Sequence, residues 1–187
     1  MKKYTALLLL FLLCVTLASG AGYRKFSIQG GALIPTAAEV DTLDAFWGGG
    51  VSYQMDNFKV GMDLFAGRGK ITYTYVDQYW NGSTWVVTTE TEEVEFDDFL
   101  LGLTADYLFY MNPNIEDGGF YWGGGLGIFS ESVKMDGFDE ESTGSSFSLQ
   151  AVSGFDYKGG GIFCKYIHFL SSDNVTGNIY VGAQFTF

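Results

Sequence analysis

The sequence predicts an all-β protein that folds as an eight-stranded, antiparallel, up-and-down transmembrane β-barrel. Two observations favour this fold. Apolar and polar residues alternate with a period of two in eight separate stretches. The composition combines 26 Gly and 18% aromatic residues with only 2 Pro, which suits closely packed, curved strands. Past the N-terminal segment there is no apolar run of the roughly 20 residues that a membrane helix needs. A chain without such helices can cross a membrane only as a closed barrel, because lipid offers backbone groups no hydrogen bonds.

The N-terminal 21 residues are predicted to be a cleaved signal peptide. Lys2 and Lys3 supply a positive start, an apolar run follows over Tyr4–Leu17, and small residues over Ala18–Ala21 suit a cleavage site. A lipoprotein with a lipid on Cys14 is a second possibility, which the leucine before this cysteine disfavours. Residues 22–187 then form a single exported barrel domain.

Charge and cysteine content narrow the classes of partner. The formal charge of the chain is -12, and loss of Lys2 and Lys3 with the signal peptide makes it -14. Nucleic acid is not expected as a partner, because phosphate binding needs many Lys and Arg side chains. Divalent cations, basic proteins and amines remain possible. Only Cys164 would be left after cleavage, so no intramolecular disulfide is predicted.

Each of the eight alternating stretches is about as long as a tilted membrane strand. They are Phe26–Ile34, Trp47–Met55, Phe58–Ala66, Phe99–Phe109, Phe120–Ile128, Phe147–Tyr157, Ile162–Leu170 and Ile179–Phe187. Short or moderate connections after strands two, four and six alternate with two long ones, about residues 69–95 and 131–145. This alternation is typical of a transmembrane barrel with short periplasmic turns and longer external loops.

The mostly polar face of these strands is assigned to the barrel interior. It is rich in Gly and carries charges of both signs, which suits the narrow lumen of eight strands, whereas the apolar face suits lipid. The predicted lumen charges are Lys25, Lys59, Asp63, Asp98, Asp106, Asp156 and Lys165. If they form closed ion pairs the barrel is plugged, and if they do not they would set the selectivity of a channel.

The C-terminus carries a resemblance to a known family. The last strand alternates and ends on an aromatic residue, with Tyr180, Phe185 and Phe187 as its aromatic members. This segment resembles the C-terminal signal of bacterial outer-membrane β-barrels, and the size resembles the OmpA, OmpX, OmpW and opacity-protein group. The resemblance implies an outer-membrane location and recognition by the barrel-assembly machinery. Outer-membrane lipid or lipopolysaccharide would surround the protein, which is expected to be a monomer.

The most distinctive loop is a predicted hairpin over residues 70–95. Two β-prone stretches flank Asn81-Gly82-Ser83, and the hairpin should extend strands three and four beyond the membrane. Protruding strand edges with aromatic residues can bind a partner by strand addition, and a solvated hairpin without a partner is the alternative. The candidate binding residues are Tyr73, Tyr75, Tyr79, Trp80 and Trp85.

Catalytic, cofactor and metal sites are not predicted. The sole histidine, His168, with Ser171, Ser172 and Asp173, is faintly similar to the motif of outer-membrane lipid A deacylases. The spacing departs from that motif, because Ser171 lies on the opposite face of a strand and Ser172 is one repeat further along. The acidic clusters near Glu90–Asp98 and Asp136–Glu141 are interpreted as solubilising charge, with loose binding of Ca²⁺ or Mg²⁺ as the alternative. The segment Asp136–Asp139 lacks the ligand spacing of a dedicated calcium loop.

The sequence therefore predicts a non-enzymatic surface barrel of the cell envelope. Its expected role is structural, or adhesive through loops that contact a host or another surface ligand. A narrow channel for small or hydrophobic solutes is the alternative function, and an envelope hydrolase centred on His168 is the least favoured.

Overall fold

A computed structural model describes residues 24–36, 45–112, 118–135, 141–170 and 177–187, apart from the side chains of Ile71, Tyr73 and Glu141. The described residues form eight strands. They are β1 Arg24–Pro35, β2 Phe46–Met55, β3 Phe58–Trp80, β4 Trp85–Tyr110, β5 Gly119–Met135, β6 Glu141–Tyr157, β7 Gly160–Leu170 and β8 Gly177–Thr186. The predicted signal peptide lies outside these ranges. No helix in the described residues is long and apolar enough to cross a membrane.

The strands close into a barrel in chain order. Each strand pairs antiparallel with the next, and β8 pairs with β1 to complete the ring. The prediction of an eight-stranded antiparallel up-and-down barrel is confirmed. Closure gives the barrel wall no unpaired strand edge, so its backbone groups are satisfied internally.

The two ends of the barrel differ in their connections. Asp56 and Asn57 join β2 to β3, and Lys158 and Gly159 join β6 to β7. Both connections lie at the end where Arg24 begins the first strand and Phe187 follows the last. We call this the turn end. The opposite end, where β3 and β4 project, is the hairpin end.

Exposed apolar side chains cover the outer wall between two aromatic levels. Trp47 and Phe99 mark the level nearer the hairpin end, while Phe109 and Trp122 stack at 4.7 Å between ring centroids nearer the turn end. Ten residues along β4 separate Phe99 from Phe109, which is about 33 Å of strand and roughly 25 Å of height at the usual tilt. This height matches the apolar band of a transmembrane barrel.

Four strands, β3 to β6, are longer than their alternating stretches by six residues or more. The predicted extension of strands three and four into a hairpin is confirmed, because β3 continues without a break to Trp80 and β4 begins at Trp85. The predicted loop 131–145 is also shorter, because β5 extends to Met135 and β6 begins at Glu141. Residues beyond the apolar band do not face lipid, so their sequence does not alternate between apolar and polar residues. They are strands because they pair with a neighbouring strand, which periodicity does not reveal.

Apolar residues that interrupt the predicted polar face form the core inside the barrel. These interrupting residues are Phe65, Leu100, Leu108, Phe163, Ile167 and Phe169. They pack with other buried apolar side chains of β1, β2, β5, β6 and β8. Glycine makes room for them across the strands: a methyl group at Gly102 would overlap the ring of Phe129. Glycines on the lumen face therefore leave space for bulky side chains inside a narrow barrel.

Candidate functional site

Two buried ion pairs span the lumen. Lys25 Nζ lies 2.8 Å from Asp156 Oδ2, and Lys165 Nζ lies 2.8 Å from Asp106 Oδ2. Each pair joins strands distant in sequence, and all four side chains are at most 5% exposed. Buried pairs of this geometry tie facing walls together, and loss of one partner leaves an uncompensated charge.

Amide side chains link the remaining lumen charges into one network. Gln29 donates to Asp63 at 2.5 Å, and Lys59 donates to Gln184 at 2.8 Å. Gln184 in turn donates to Asp156, which connects the Lys59 contacts to an ion pair. Gln29 and Gln184 alternate on the polar face that the sequence assigns to the lumen, but the predicted lumen set contained charged residues alone.

An aromatic layer packs against these polar groups, with Lys59 Nζ 5.8 Å from the centre of the Phe163 ring. The rings of Phe65 and Tyr180 meet edge-on at 4.7 Å, and those of Tyr180 and Phe163 at 4.8 Å. A second edge-on pair, Phe129 and Phe169, is separated by 5.0 Å. Such arrangements stabilise aromatic clusters beyond simple burial. The lumen is thus occupied by ion pairs and by rings, and the rings include Tyr110 and Tyr121 at the turn end.

Asp98 lies apart from the other predicted lumen charges. It is buried one position beyond Phe99, at the mouth of the barrel, beside the side chain of Glu131. The structure therefore joins four of the seven predicted lumen charges in one hydrogen-bonded network, pairs Lys165 with Asp106, and leaves Asp98 at the rim. Among the described residues there is no cluster of three or more His, Cys, Asp or Glu side chains that could hold a metal ion.

The β3–β4 hairpin rises above the barrel as a free two-stranded ribbon. Pairing between these strands is continuous from Phe58 with Tyr107 to Trp80 with Trp85. Among the described residues, β2 pairs with β3 only as far as Ala66, and β5 pairs with β4 only as far as Phe96. Beyond those points the β3 edge is unpaired for roughly 45 Å and the β4 edge for roughly 36 Å within the described structure, and both have unpaired backbone groups.

Side-chain hydrogen bonds stabilise the turn at the tip of the ribbon. The Asn81 side-chain oxygen accepts hydrogen bonds from the backbone N–H groups of Ser83 at 3.0 Å and Thr84 at 2.9 Å. Gly82 has a φ of 96°, which an L side chain rarely adopts. The rings of Trp80 and Trp85 meet below this turn at 5.7 Å. The local chemistry thus fixes the hairpin register at its tip.

Four of the five predicted binding residues are exposed on this ribbon: Tyr75, Tyr79, Trp80 and Trp85. The backbone of Tyr73 pairs with Glu92, and its side chain lies outside the described structure. The hydroxyl of Tyr75 donates to Glu90 at 2.9 Å, and this bond together with the charge of Glu90 raises the pKa of Tyr75. The ribbon therefore presents aromatic rings beside carboxylates.

Salt bridges mark the base of the ribbon on the outer side. Lys70 lies 3.2 Å from Glu95 and 3.6 Å from Glu93, and these carboxylates raise the pKa of Lys70. Arg68 lies 2.8 Å from Asp97 on the same face. Sequence analysis did not single out these cations, because their alignment depends on the register between β3 and β4.

The three residues of the predicted C-terminal signal divide between the two faces of β8. Phe185 and Phe187 are exposed on the outer wall, and the backbone N–H of Phe187 donates to Phe26 O at 2.9 Å. Tyr180 is fully buried in the lumen. Tyr180 therefore belongs to the aromatic layer by its contacts, and only the two phenylalanines share the lipid-facing side.

His168 is half-buried on the outer wall near the hairpin end. Its ring lies 6.3 Å from that of Tyr166. The positions weighed with it, Ser171, Ser172 and Asp173, lie outside the described residues, as do Asp136, Asp139 and Glu140 of the second acidic cluster.

Comparisons with known proteins bear on the fold. The barrel is similar to the N-terminal β-barrel domain of OprF from Pseudomonas aeruginosa, with a TM-score of 0.55 and 12% identity over 89% of this chain and 100% of that domain. It is also similar to Ail, the attachment invasion locus protein of Yersinia pestis, with a TM-score of 0.51 and 17% identity over 90% of this chain and 100% of Ail. Neisserial surface protein A gives a TM-score of 0.53 and 15% identity, covering 90% of this chain and 100% of that protein.

At these identities the likeness shows the fold alone. No protein-family model and no curated protein matches the sequence. The resemblance stated from the sequence is confirmed at the level of fold, since the similar structures are small outer-membrane β-barrels.

Proposed function

We propose that this protein is a non-enzymatic outer-membrane barrel with a closed lumen, which uses the β3–β4 hairpin to bind a basic partner at the cell surface. The observation that carries the proposal is the ribbon beyond Ala66 and Phe96, with two free strand edges and exposed aromatic rings. The location is supported by the apolar band, by the predicted signal peptide and by the fold shared with OprF and Ail.

The closed lumen is supported by what fills it. The pairs Lys25–Asp156 and Lys165–Asp106 use charges that would otherwise line a water path. Beside them the rings of Phe65 and Tyr180 pack edge-on in the lumen. A conducting pathway would have to displace both the ion pairs and the rings. A plugged barrel serves as a rigid mount for its loops.

A basic partner is supported by the charge of the ribbon. From residue 71 to residue 96 the chain contains five carboxylates and neither lysine nor arginine. The five are Asp77, Glu90, Glu92, Glu93 and Glu95. An extended basic segment could add to a free edge through backbone hydrogen bonds, with its cations near these carboxylates and its apolar groups on the aromatic rings.

The proposal is tested first on refolded protein in lipid bilayers. Single-channel recording of the wild type should show no discrete steps, with unboiled gel mobility as the control for folding. In parallel, proteoliposomes are titrated with a fluorescent peptide of alternating lysine and valine, which can form an added strand. A trimmed variant joins Thr72 to Glu93 through Asn-Gly, which shortens the ribbon in register.

A charge-matched control separates shape from electrostatics. Trimming removes the carboxylates of Asp77, Glu90 and Glu92, so the control carries D77N, E90Q and E92Q in the full-length hairpin. We expect trimming to abolish binding and the control to weaken it. Discrete conductance steps from the wild type would overturn the closed lumen, and equal peptide binding by wild type and trimmed protein would overturn the role of the hairpin.

A further inference from the structure

A groove of about 690 Å³ lies on the outer wall of β2–β5, where the barrel meets the base of the ribbon. Its lower part is lined by Trp47, Ala66 and Phe99. Its polar lining residues are Arg68, Asp97, Asp98, Ser132 and Lys134. The groove is therefore apolar toward the barrel wall and charged toward the hairpin end.

Strand register arranges these residues in two rows. Ala66 pairs with Trp47 on one side and with Phe99 on the other, forming the aromatic row at the edge of the apolar band. Two residues further along each strand, Asp97 pairs with both Arg68 and Lys134. The charged row therefore lies about 6.6 Å along the strands beyond the aromatic row. In a membrane, this is the step from the interfacial aromatic belt to the headgroups.

The exposed cations of the barrel are unevenly distributed. Excluding the predicted signal peptide, the chain has eight Lys and Arg residues, of which three are buried in the lumen and two, Arg24 and Lys158, lie at the turn end. The remaining three, Arg68, Lys70 and Lys134, all lie on the outer side of β3 and β5 above the groove. Although the chain has a net charge of -12, the three exposed cations near the hairpin end all lie on one side of the barrel wall.

We propose that this groove binds a phosphate-bearing lipid of the surrounding leaflet. The lipid phosphate contacts Arg68 and Lys134, which flank Asp97 on the neighbouring strands, and an acyl chain lies over Ala66 between the rings of Trp47 and Phe99. Asp97 lies 2.8 Å from Arg68 and orients its guanidinium. The charged row of Arg68, Asp97 and Lys134 has a net charge of one positive unit. Guanidinium and ammonium groups are the side chains that bind phosphate most strongly, and the apolar floor selects a lipid over a free anion.

This inference rests on the proposed membrane location, and the experiment tests the two separately. The full chain is refolded in detergent micelles and titrated with lipid A that carries its phosphates, with binding followed by native mass spectrometry. Dephosphorylated lipid A and inorganic phosphate are the competing probes. Insertion into vesicles and heat-modifiable gel mobility are measured on the same samples, so failure to insert would count against the proposed function.

Two variants probe the groove, and a third is the matched control. R68Q/K134Q removes two cations from the groove, and R24Q/K158Q removes two exposed cations from the turn end. We expect the first to weaken lipid A binding by roughly a hundredfold, since each of its two charge-assisted contacts contributes about a factor of ten, and the second to leave it unchanged. A66W fills the groove without changing charge and should also block binding, which keeps the inference testable if the double variant folds poorly.

Three outcomes would overturn the inference. Equal losses in both double variants would indicate attraction by net charge without a groove. Displacement of lipid A by millimolar inorganic phosphate would indicate a simple anion site. Protein dimers that A66W abolishes, without any difference in lipid binding, would assign the groove to a second copy of the chain.

Discussion

Replacement of Lys165 by Met should destabilise the barrel by about 3–5 kcal/mol, because it leaves the buried carboxylate of Asp106 without its cation. The two groups are 2.8 Å apart and at most 5% exposed. Asp106 Oδ1 has no other hydrogen-bond partner among the described residues, so no neighbouring donor takes over the charge. Methionine approximates the length of the lysine stem, and the change therefore tests charge more than packing.

The assay is urea unfolding in phospholipid vesicles, followed by tryptophan fluorescence and by gel mobility. The double variant K165M/D106L removes both charges and should be more stable than K165M alone by about 2 kcal/mol, since a matched apolar pair avoids the cost of a buried lone charge. Lys158→Met is the control for loss of one lysine at an exposed turn and should change stability by no more than about 0.5 kcal/mol.

A cost of less than about 1 kcal/mol for K165M would refute this reasoning. Such a result would mean that water reaches the carboxylate of Asp106 and screens its charge. The lumen would then be hydrated, and the closed barrel proposed above would fail together with the estimate.

Three further predictions address other parts of the chain. Gly102→Ala should cost about 1–3 kcal/mol in the same urea assay, because the added methyl overlaps the ring of Phe129, whereas Gly144→Ala meets nothing within 4 Å and should be neutral. Gly82→Ala should speed proteolysis at the hairpin tip and leave barrel unfolding unchanged, since its φ of 96° is strained for alanine; equal cleavage rates would contradict the turn geometry. Phe187→Ala should lower the yield of barrel assembled in cells while refolding into vesicles in vitro proceeds, and parallel losses in both would assign Phe187 a purely structural role.

Much of the barrel could be predicted because lipid and a narrow lumen impose opposite demands on alternate residues. The alternation of Phe147–Tyr157 survives in the structure as the part of β6 that faces lipid on one side and the lumen on the other. Where a strand segment contacts neither lipid nor the filled lumen, its predicted bounds were wrong. The start of β6 at Glu141 could not be found from periodicity, because its first residues pair with β5 without an apolar surface on one side.

The polar network was predicted as a set of charges and not as a set of contacts. Lys25 and Asp156 are 131 residues apart, and their 2.8 Å contact depends on how far each strand is staggered around the ring. The glutamines that complete the network carry no charge, so a set of lumen charges does not contain them. The groove with Arg68 and Lys134 was missed for the same reason, since it exists only where three strands are in register.

The number of strands, their antiparallel order and the hairpin could be predicted from sequence, because they depend on local alternation and turn chemistry. The face turned to the lumen could be assigned only with the predicted signal peptide and the C-terminal segment, since alternation does not say which face is outside. The tertiary structure decided which charges pair, where the rings plug the lumen, how far the ribbon stands free and which cations share one groove. Those properties follow from the stagger of the strands around the barrel, and stagger is set by all eight pairings together, which no single stretch of sequence encodes.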